Sequence, residues 1–501
     1  MKSLIILLVS LLAMEVSCQS PTSSPTSPTQ QGSGFKVIYN ANATSASGGV
    51  PTDSNGYAQG ASVTVLGNTK GLALSGYQIA GWNTQANGLG TSYAVGATFS
   101  IGSADVNLYA VWLPSNLKFT GSGTTLTITG YTTAPTGTLV VPAGITAIGG
   151  VGAFYNCTNL TGVSFPASLT SLGTGAFEQA GLTTVSIPAT LTSVGLNAFT
   201  SCQSLTSITV ETANPNYQSI EGVLFNKAGT ILIQAPGALA GTYSIPGAVT
   251  TLADWAFNNC KSLTGITGGT AVTSVGIATF QGCSALASAT LSGTITTLGT
   301  SAFEQCSALT SLTLPSNLVT IGEYAFHACS GLAAIIIPAS VTTIQADAFE
   351  NCTALTTVTI PAGVTSLGDG LFFYCSGLTA ITVALDNPNY SSDSFGVLYN
   401  KTKTDLIEAP AKLAAAYNTV PSTVTSIHYA AFGMCKNLTT LTLPVGLTAL
   451  GTNAFNSCTG LTSVTLQAHR TSGSTVSHGG SVLRYFGQIG DQCSDGFAVD
   501  L

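Results

Sequence analysis

The chain has 501 residues, of which only 6% are Asp, Glu, Lys or Arg, with 12 basic against 19 acidic side chains and a net charge of −7. An average soluble domain is roughly 25% charged, and nucleic-acid binding needs basic clusters that displace counterions from phosphate; no such cluster exists, so nucleic acid is excluded as a partner. Apolar residues reach 45% but come in short bursts separated by Thr, Ser and Gly. Beyond the N-terminus none approaches the ~18–20 residues of a membrane-spanning helix, which excludes a multi-span membrane protein.

Lys2 precedes an apolar stretch, Leu4 to Met14, that is too short for a stable transmembrane anchor but suits an export signal. The following string, Glu15-Val16-Ser17-Cys18-Gln19, resembles a bacterial lipoprotein signal, although Glu15 stands where that pattern usually has Leu. The resemblance implies a signal peptide over 1–18 and lipidation of Cys18, the chain's single attachment to a membrane; simple secretion is the alternative. Residues 19–34 read QSPTSSPTSPTQQGSG, with nothing to bury, and are expected to form an extended tether.

Between 35 and 114, short β-type runs (FKVIY, ASVTVL, YQIAGW, ATFSI, VNLYAVW) alternate with Gly, Asn and Asp turns. The string GYQIAGWNTQANGLGTSYAVG with the later LYAVW resembles the internalin-type B-repeat, or Listeria–Bacteroides repeat. That family implies a small β-grasp-like domain of bacterial surface proteins, with Trp82 and Trp112 as core anchors.

From about Gly137 the chain repeats itself every 22–23 residues. One full copy is Cys306-Leu309-Leu312-Leu314-Pro315-Leu318-Ile321-Gly322-Ala325-Phe326-Cys329. A single unit cannot bury its own apolar residues, whereas stacked units share a core. The pattern resembles the BspA-type leucine-rich repeat. The expected fold is therefore a mainly β leucine-rich-repeat solenoid over 115–466, its rungs carrying short helical turns at Ala-Phe, preceded by the β-grasp-like domain. Two rungs are longer. Asn214-Pro215-Asn216-Tyr217 leads to Gly222–Lys227, and Asn387-Pro388-Asn389-Tyr390 leads to Gly396–Lys401. Turn chemistry predicts hairpins that project from the stack and carry binding. Residues 467–501 depart from the repeat and are expected to be an irregular tail or cap.

Ten of the twelve Cys share one repeat phase. Ala180 fills the same slot, so the column is expected to be buried and reduced. Cys493 is out of phase, and no Cys-x-x-Cys pair suggests zinc. Neither a catalytic residue, a metal site nor a cofactor is indicated. Glu304, His327 and Glu350 each precede the phase Cys by two residues, and should be neighbours in a surface row. Outward Thr and Ser flank the strand apolar residues, predicting columns of hydroxyls on the solvent face. Thr313, Thr357, Thr359 and Thr442, with Tyr217 and Tyr390, are the candidate ligand contacts.

These readings converge on a non-enzymatic, surface-displayed binding protein, monomeric outside the membrane, that recognises an extracellular protein or glycan. The BspA resemblance implies adhesion to matrix proteins. A structural envelope protein is the main alternative, with a carbohydrate-active enzyme or an ice-binding protein behind it. With so little charge to screen, contact is expected to be weak per site and nearly independent of salt.

Overall fold

A computed structural model describes residues 34–121, 125–291, 294–466 and 498–500. Cys18, the tether and Cys493 lie outside the described residues. In the N-terminal domain the first and last strands, Val37–Asn40 and Val106–Pro114, pair in parallel along one side of a four-stranded sheet, with Val37–Asn40 at its edge. Tyr77–Asn83 and Ser92–Tyr93 extend it in antiparallel fashion. Trp82 is fully buried and stacks edge-on against Tyr39 at 4.8 Å. Asn83, also buried, organises the following loop by donating to Gly88 O, Gly90 O and Ser92 Oγ. That loop sits directly on the solenoid: a Cβ at Gly88 would lie 2.5 Å from Ala143 Cβ and Gly144 N, and φ there is +73°. Glycine is required for the two parts to meet.

The remainder is an all-strand leucine-rich-repeat solenoid. In ordinary rungs a first strand presents apolar residues inward and Thr or Ser outward, as the two-residue period of a pleated strand dictates. Ser288–Thr290 pairs in parallel with Ser311–Thr313 in a step of one repeat. The second strands form a separate column; Thr251–Leu252, Ser274–Val275, Thr297–Leu298, Thr320–Ile321, Thr343–Ile344 and Ser366–Leu367 all belong to one nine-stranded sheet. Between the columns, Phe257, Phe280, Phe303, Phe326, Phe349 and Phe372 stack with centroids 5.0–5.6 Å apart.

The phase cysteines are buried free thiols. Each thiol in the regular stretch donates to the Phe carbonyl one rung back, as Cys306 Sγ does to Phe280 O at 3.2 Å. Burial pushes Cys283 and Cys329 up to about 12, so they serve as small apolar side chains with one weak donor rather than as nucleophiles.

The expected helical turns at Ala-Phe are not helices: none occurs among the described residues. Two left-handed residues bracket each Ala-Phe pair, for example Ser301 and Gln305, Tyr324 and Ala328, or Asp347 and Asn351, with φ of 54–60°. A right-handed helix cannot pass through them. The segment's N–H groups instead point to the next rung: Ser301, Phe303 and Gln305 N–H donate to the carbonyls of Glu323, Ala325 and His327 at 2.8 Å. Left-handed backbone costs about 1–2 kcal/mol per residue, and the inter-rung bonds offset it.

The long rungs also differ from expectation. Their hairpins do not project; they are part of the second-strand sheets. Tyr217–Ile220, Val223–Asn226 and Ile231–Gln234 form an antiparallel meander whose last strand pairs in parallel with Thr251–Leu252. The second insert repeats this with Tyr390–Ser392, Leu398–Asn400 and Asp405–Glu408. Val223, Leu224, Phe225, Val397, Leu398 and Tyr399 are fully buried. Apolar residues alternate too densely in these hairpins for them to face water.

Candidate binding surface of the solenoid

Tyr217 and Tyr390 terminate sheets. Tyr217 Oη accepts from Val194 N–H at 2.9 Å and lies 3.5 Å from Thr192 O, where the next second strand would have bonded. Tyr390 Oη does the same for Leu367 N–H and Thr365 O. Both rings are half-buried, and their hydroxyls are committed to the fold. The turns before them are held by Asn214 and Asn387, both fully buried.

Thr313, Thr357 and Thr359 are exposed and Thr442 is half-buried. Thr359 Oγ1 meets Thr382 Oγ1 of the next rung at 2.9 Å. The hydroxyl field is nevertheless interrupted. Ile336, 86% exposed, occupies the outward position between Thr313 and Thr359, and Ala334 and Ala380 alternate with Ser311 and Thr357. A second Thr column, including Thr206, Thr310, Thr356 and Thr379, donates its hydroxyls to carbonyls one rung back.

Charge is sparse in the sequence but segregated in space. No Lys or Arg occurs between Lys261 and Lys401, whereas Glu304, Glu323, Asp347, Glu350 and Asp369 fall on successive Ala-Phe turns, forming one acidic edge. His327 sits between two of them, with Nδ1 3.4 Å from Glu304 Oε1 and Nε2 3.7 Å from Glu350 Oε2. Gln281 Nε2 donates to Glu304 Oε2 at 2.6 Å, and Asn258 Nδ2 donates to Gln281 Oε1, so a polar ladder crosses five rungs. The Glu304 carboxylate raises the His327 pKa, and His327 in turn lowers that of Glu304; burial raises that of Glu350. The row is a structural ladder.

The inserts open a different feature. In each long rung the Ala-Phe turn is replaced by Ala-Pro (Ala235-Pro236 and Ala409-Pro410), so the turn edge is missing one step. A notch of ≈ 380 Å³ results at the first insert, lined by Asn156, Thr158, Gln179, Ser201, Gln203, Asn259 and Lys261. At the second lies a notch of ≈ 400 Å³ lined by Ser376, Ala411, Lys412, Met434, Lys436 and Asn437. The backbones of the two long rungs correspond: Ala238 N–H donates to Leu205 O and Lys412 N–H to Leu378 O, both at 2.8 Å. Sequence reasoning located the inserts but not the notches, because a notch is the absence of a turn rather than a residue.

An all-strand solenoid with phased Leu, Phe and Cys columns, joined to a small mixed-sheet domain, defines a leucine-rich-repeat protein of the bacterial surface class. The BspA type Leucine rich repeat region matches residues 131–237, 240–354, 296–415 and 412–477, and the Listeria-Bacteroides repeat domain matches 35–111. The chain belongs to the BspA-type leucine-rich repeat family. Proteins built from these two modules are typically found on the bacterial cell surface. Similar solved structures include a leucine rich cell surface protein of Faecalibacterium prausnitzii, 25% identical, covering 71% of this chain and 76% of that one at a TM-score of 0.37. A leucine-rich repeat protein of Bacteroides ovatus is 20% identical, covering 77% and 98% at a TM-score of 0.41. A protein of Evansella cellulosilytica, whose name places it in a membrane, is 39% identical over 62 residues, which span 12% of this chain and 9% of that protein.

Proposed function

We propose that this is a non-enzymatic recognition protein of the bacterial surface, lipid-anchored through Cys18, that binds an extracellular glycan or matrix protein. The observation supporting this reading is the pair of matched notches. The scaffold departs from its repeat at two places, and at both an open polar recess faces solvent while the apolar residues of the inserted hairpins are buried. Repeat proteins commonly place their ligands where the repeat departs from regularity. A purified preparation of the mature protein, presented to an array of glycans and matrix proteins, should give saturable binding to at least one of them. Failure to bind any would favour a structural envelope role. Metabolic labelling with a fatty acid should mark the wild-type protein and not Cys18→Ser; an unlabelled wild type would refute lipid anchoring.

A further inference from the structure

The two notches share more than their origin. Lys261 and Lys436 each follow the phase Cys of the first ordinary rung after a long one, and no other rung has Lys there; Thr158, Ser284, Ser307 and Ser376 are typical occupants. All six Lys between residues 125 and 466 lie in the inserts or close behind them. Three are committed: Lys227 Nζ to Thr212 O, Lys401 Nζ to Asn387 O, and Lys403 over the Tyr399 ring at 5.5 Å. Lys261, Lys412 and Lys436 are exposed and have no ion-pair or hydrogen-bonded side-chain partner among the described residues.

We propose that the two notches are paired sites for an acidic saccharide, whose carboxylate or sulfate meets Lys261 at the first and Lys436 with Lys412 at the second. This deepens the recognition reading above and rests on it. The unpaired ammonium groups select an anion. The side chains of Asn156, Gln179 and Thr158, with Gln203 Oε1 (its Nε2 is already held by Asn259 O), offer donors and acceptors suited to sugar hydroxyls. A protein partner is disfavoured, because interface hot spots centre on buried aromatic or Arg anchors and neither notch contains one. The volumes fall within the ~300–1,000 Å³ of small-ligand clefts.

The acidic edge between the notches sets a further condition. A polyanion lying along the stack from one notch to the other would pass Glu304, Asp347 and Glu350. Each notch therefore takes a short or terminal acidic unit by itself. Seven rung steps separate Cys260 from Cys435, or roughly 34 Å at the ~4.8 Å spacing of paired strands. A tetrasaccharide is too short to bridge that distance, so the sites fill independently.

Titration calorimetry on the mature protein tests this with three probes: a hyaluronan tetrasaccharide (carboxylate only), a heparin tetrasaccharide (carboxylate and sulfate) and neutral chitotetraose. At least one acidic probe should bind with two copies per chain, more weakly in 1 M than in 0.1 M salt, where screening lengths are about 3 and 10 Å. Lys261→Gln and Lys436→Gln should each leave one copy bound, and the double variant should lose at least tenfold in affinity with unchanged thermal unfolding. Equal binding of chitotetraose, no binding of either acidic probe, or an unchanged two-copy isotherm in Lys261→Gln would overturn the proposal. An array ligand whose binding survives the double variant would overturn the notch assignment while leaving surface recognition standing; an array without any ligand would overturn recognition itself.

Discussion

Glu408→Gln should stabilise the protein by about 3 kcal/mol at pH 7 and by almost nothing at pH 4. Glu408 is buried, with its Oε1 accepting from Phe372 N–H at 2.9 Å and its Oε2 without a partner. Desolvation raises its pKa from 4.5 to about 8, with added repulsion from Asp347, Asp369 and Glu350. A folded pKa above the unfolded one gives stability that is complete below about pH 4.5 and is lost as pH rises through about 8. At neutral pH folding must therefore protonate this carboxyl. Glutamine supplies the same acceptor without that requirement. The first insert already uses it: Gln234 occupies the equivalent place, its Oε1 accepting from Thr200 Oγ1 and its Nε2 donating to Ala235 O. Urea unfolding at the two pH values measures the difference. An equal effect at both would show that the carboxyl stays ionised in the fold.

Asn387→Ala is expected to cost about 3–5 kcal/mol, the largest loss among the polar side chains considered. Its amide fills all four hydrogen-bonding positions: Nδ2 donates to Pro361 O and Val364 O, and Oδ1 accepts from Asn389 N–H and Tyr390 N–H, at 2.8–3.0 Å. Removing it takes a partner from four buried or partly buried backbone groups, each carrying a penalty of up to roughly 1–3 kcal/mol that is not fully additive. The turn also positions Tyr390, so the end of the nine-stranded sheet should loosen too. Asn389→Ala, two residues on, removes a single exposed bond to Thr365 O and should cost about 1 kcal/mol or less. Hydrogen exchange at Leu367, whose N–H is held by the Tyr390 hydroxyl, distinguishes them: it should speed markedly in the first variant only. Matching exchange rates in the two would mean that Asn387 is not what fixes the turn.

What the sequence disclosed, and what it concealed, follows from the repeat. Positions such as Leu309, Phe326 and Cys352 meet the same surroundings in every rung, so their periodicity alone gave the solenoid, the inward face and the thiol column. The two left-handed positions could not be read this way. Trp255, Ala278, Tyr324 and Ala328 adopt φ of 50–57° although their side chains disfavour it, because the next rung supplies the acceptors. The inserts misled for a related reason. Asn-Pro signals a turn, which is correct, but sequence does not show that Tyr217 and Tyr390 then reach back to finish an interrupted sheet. The charge census was accurate, but a total does not say where the charges lie. Few charges in total do not mean a weak field everywhere once Lys are gathered at the inserts and carboxylates along the turns between them.

The direction of the inter-rung bonds bears on that field. On the turn edge, N–H groups of Ser301, Phe303 and Gln305 point toward the C-terminal end of the stack, whereas on the strand sides those of Thr310, Val319 and Gly322 point back toward Ala287, Thr296 and Leu298. An α-helix aligns its peptide units and acquires an axial macrodipole. Here opposed sets of peptide dipoles largely cancel, as they do within sheets generally. The peptide units therefore give the described column little net axial dipole. Whatever potential an approaching ion feels is set by a handful of side chains, which makes each Lys at an insert a local source standing against an almost neutral background.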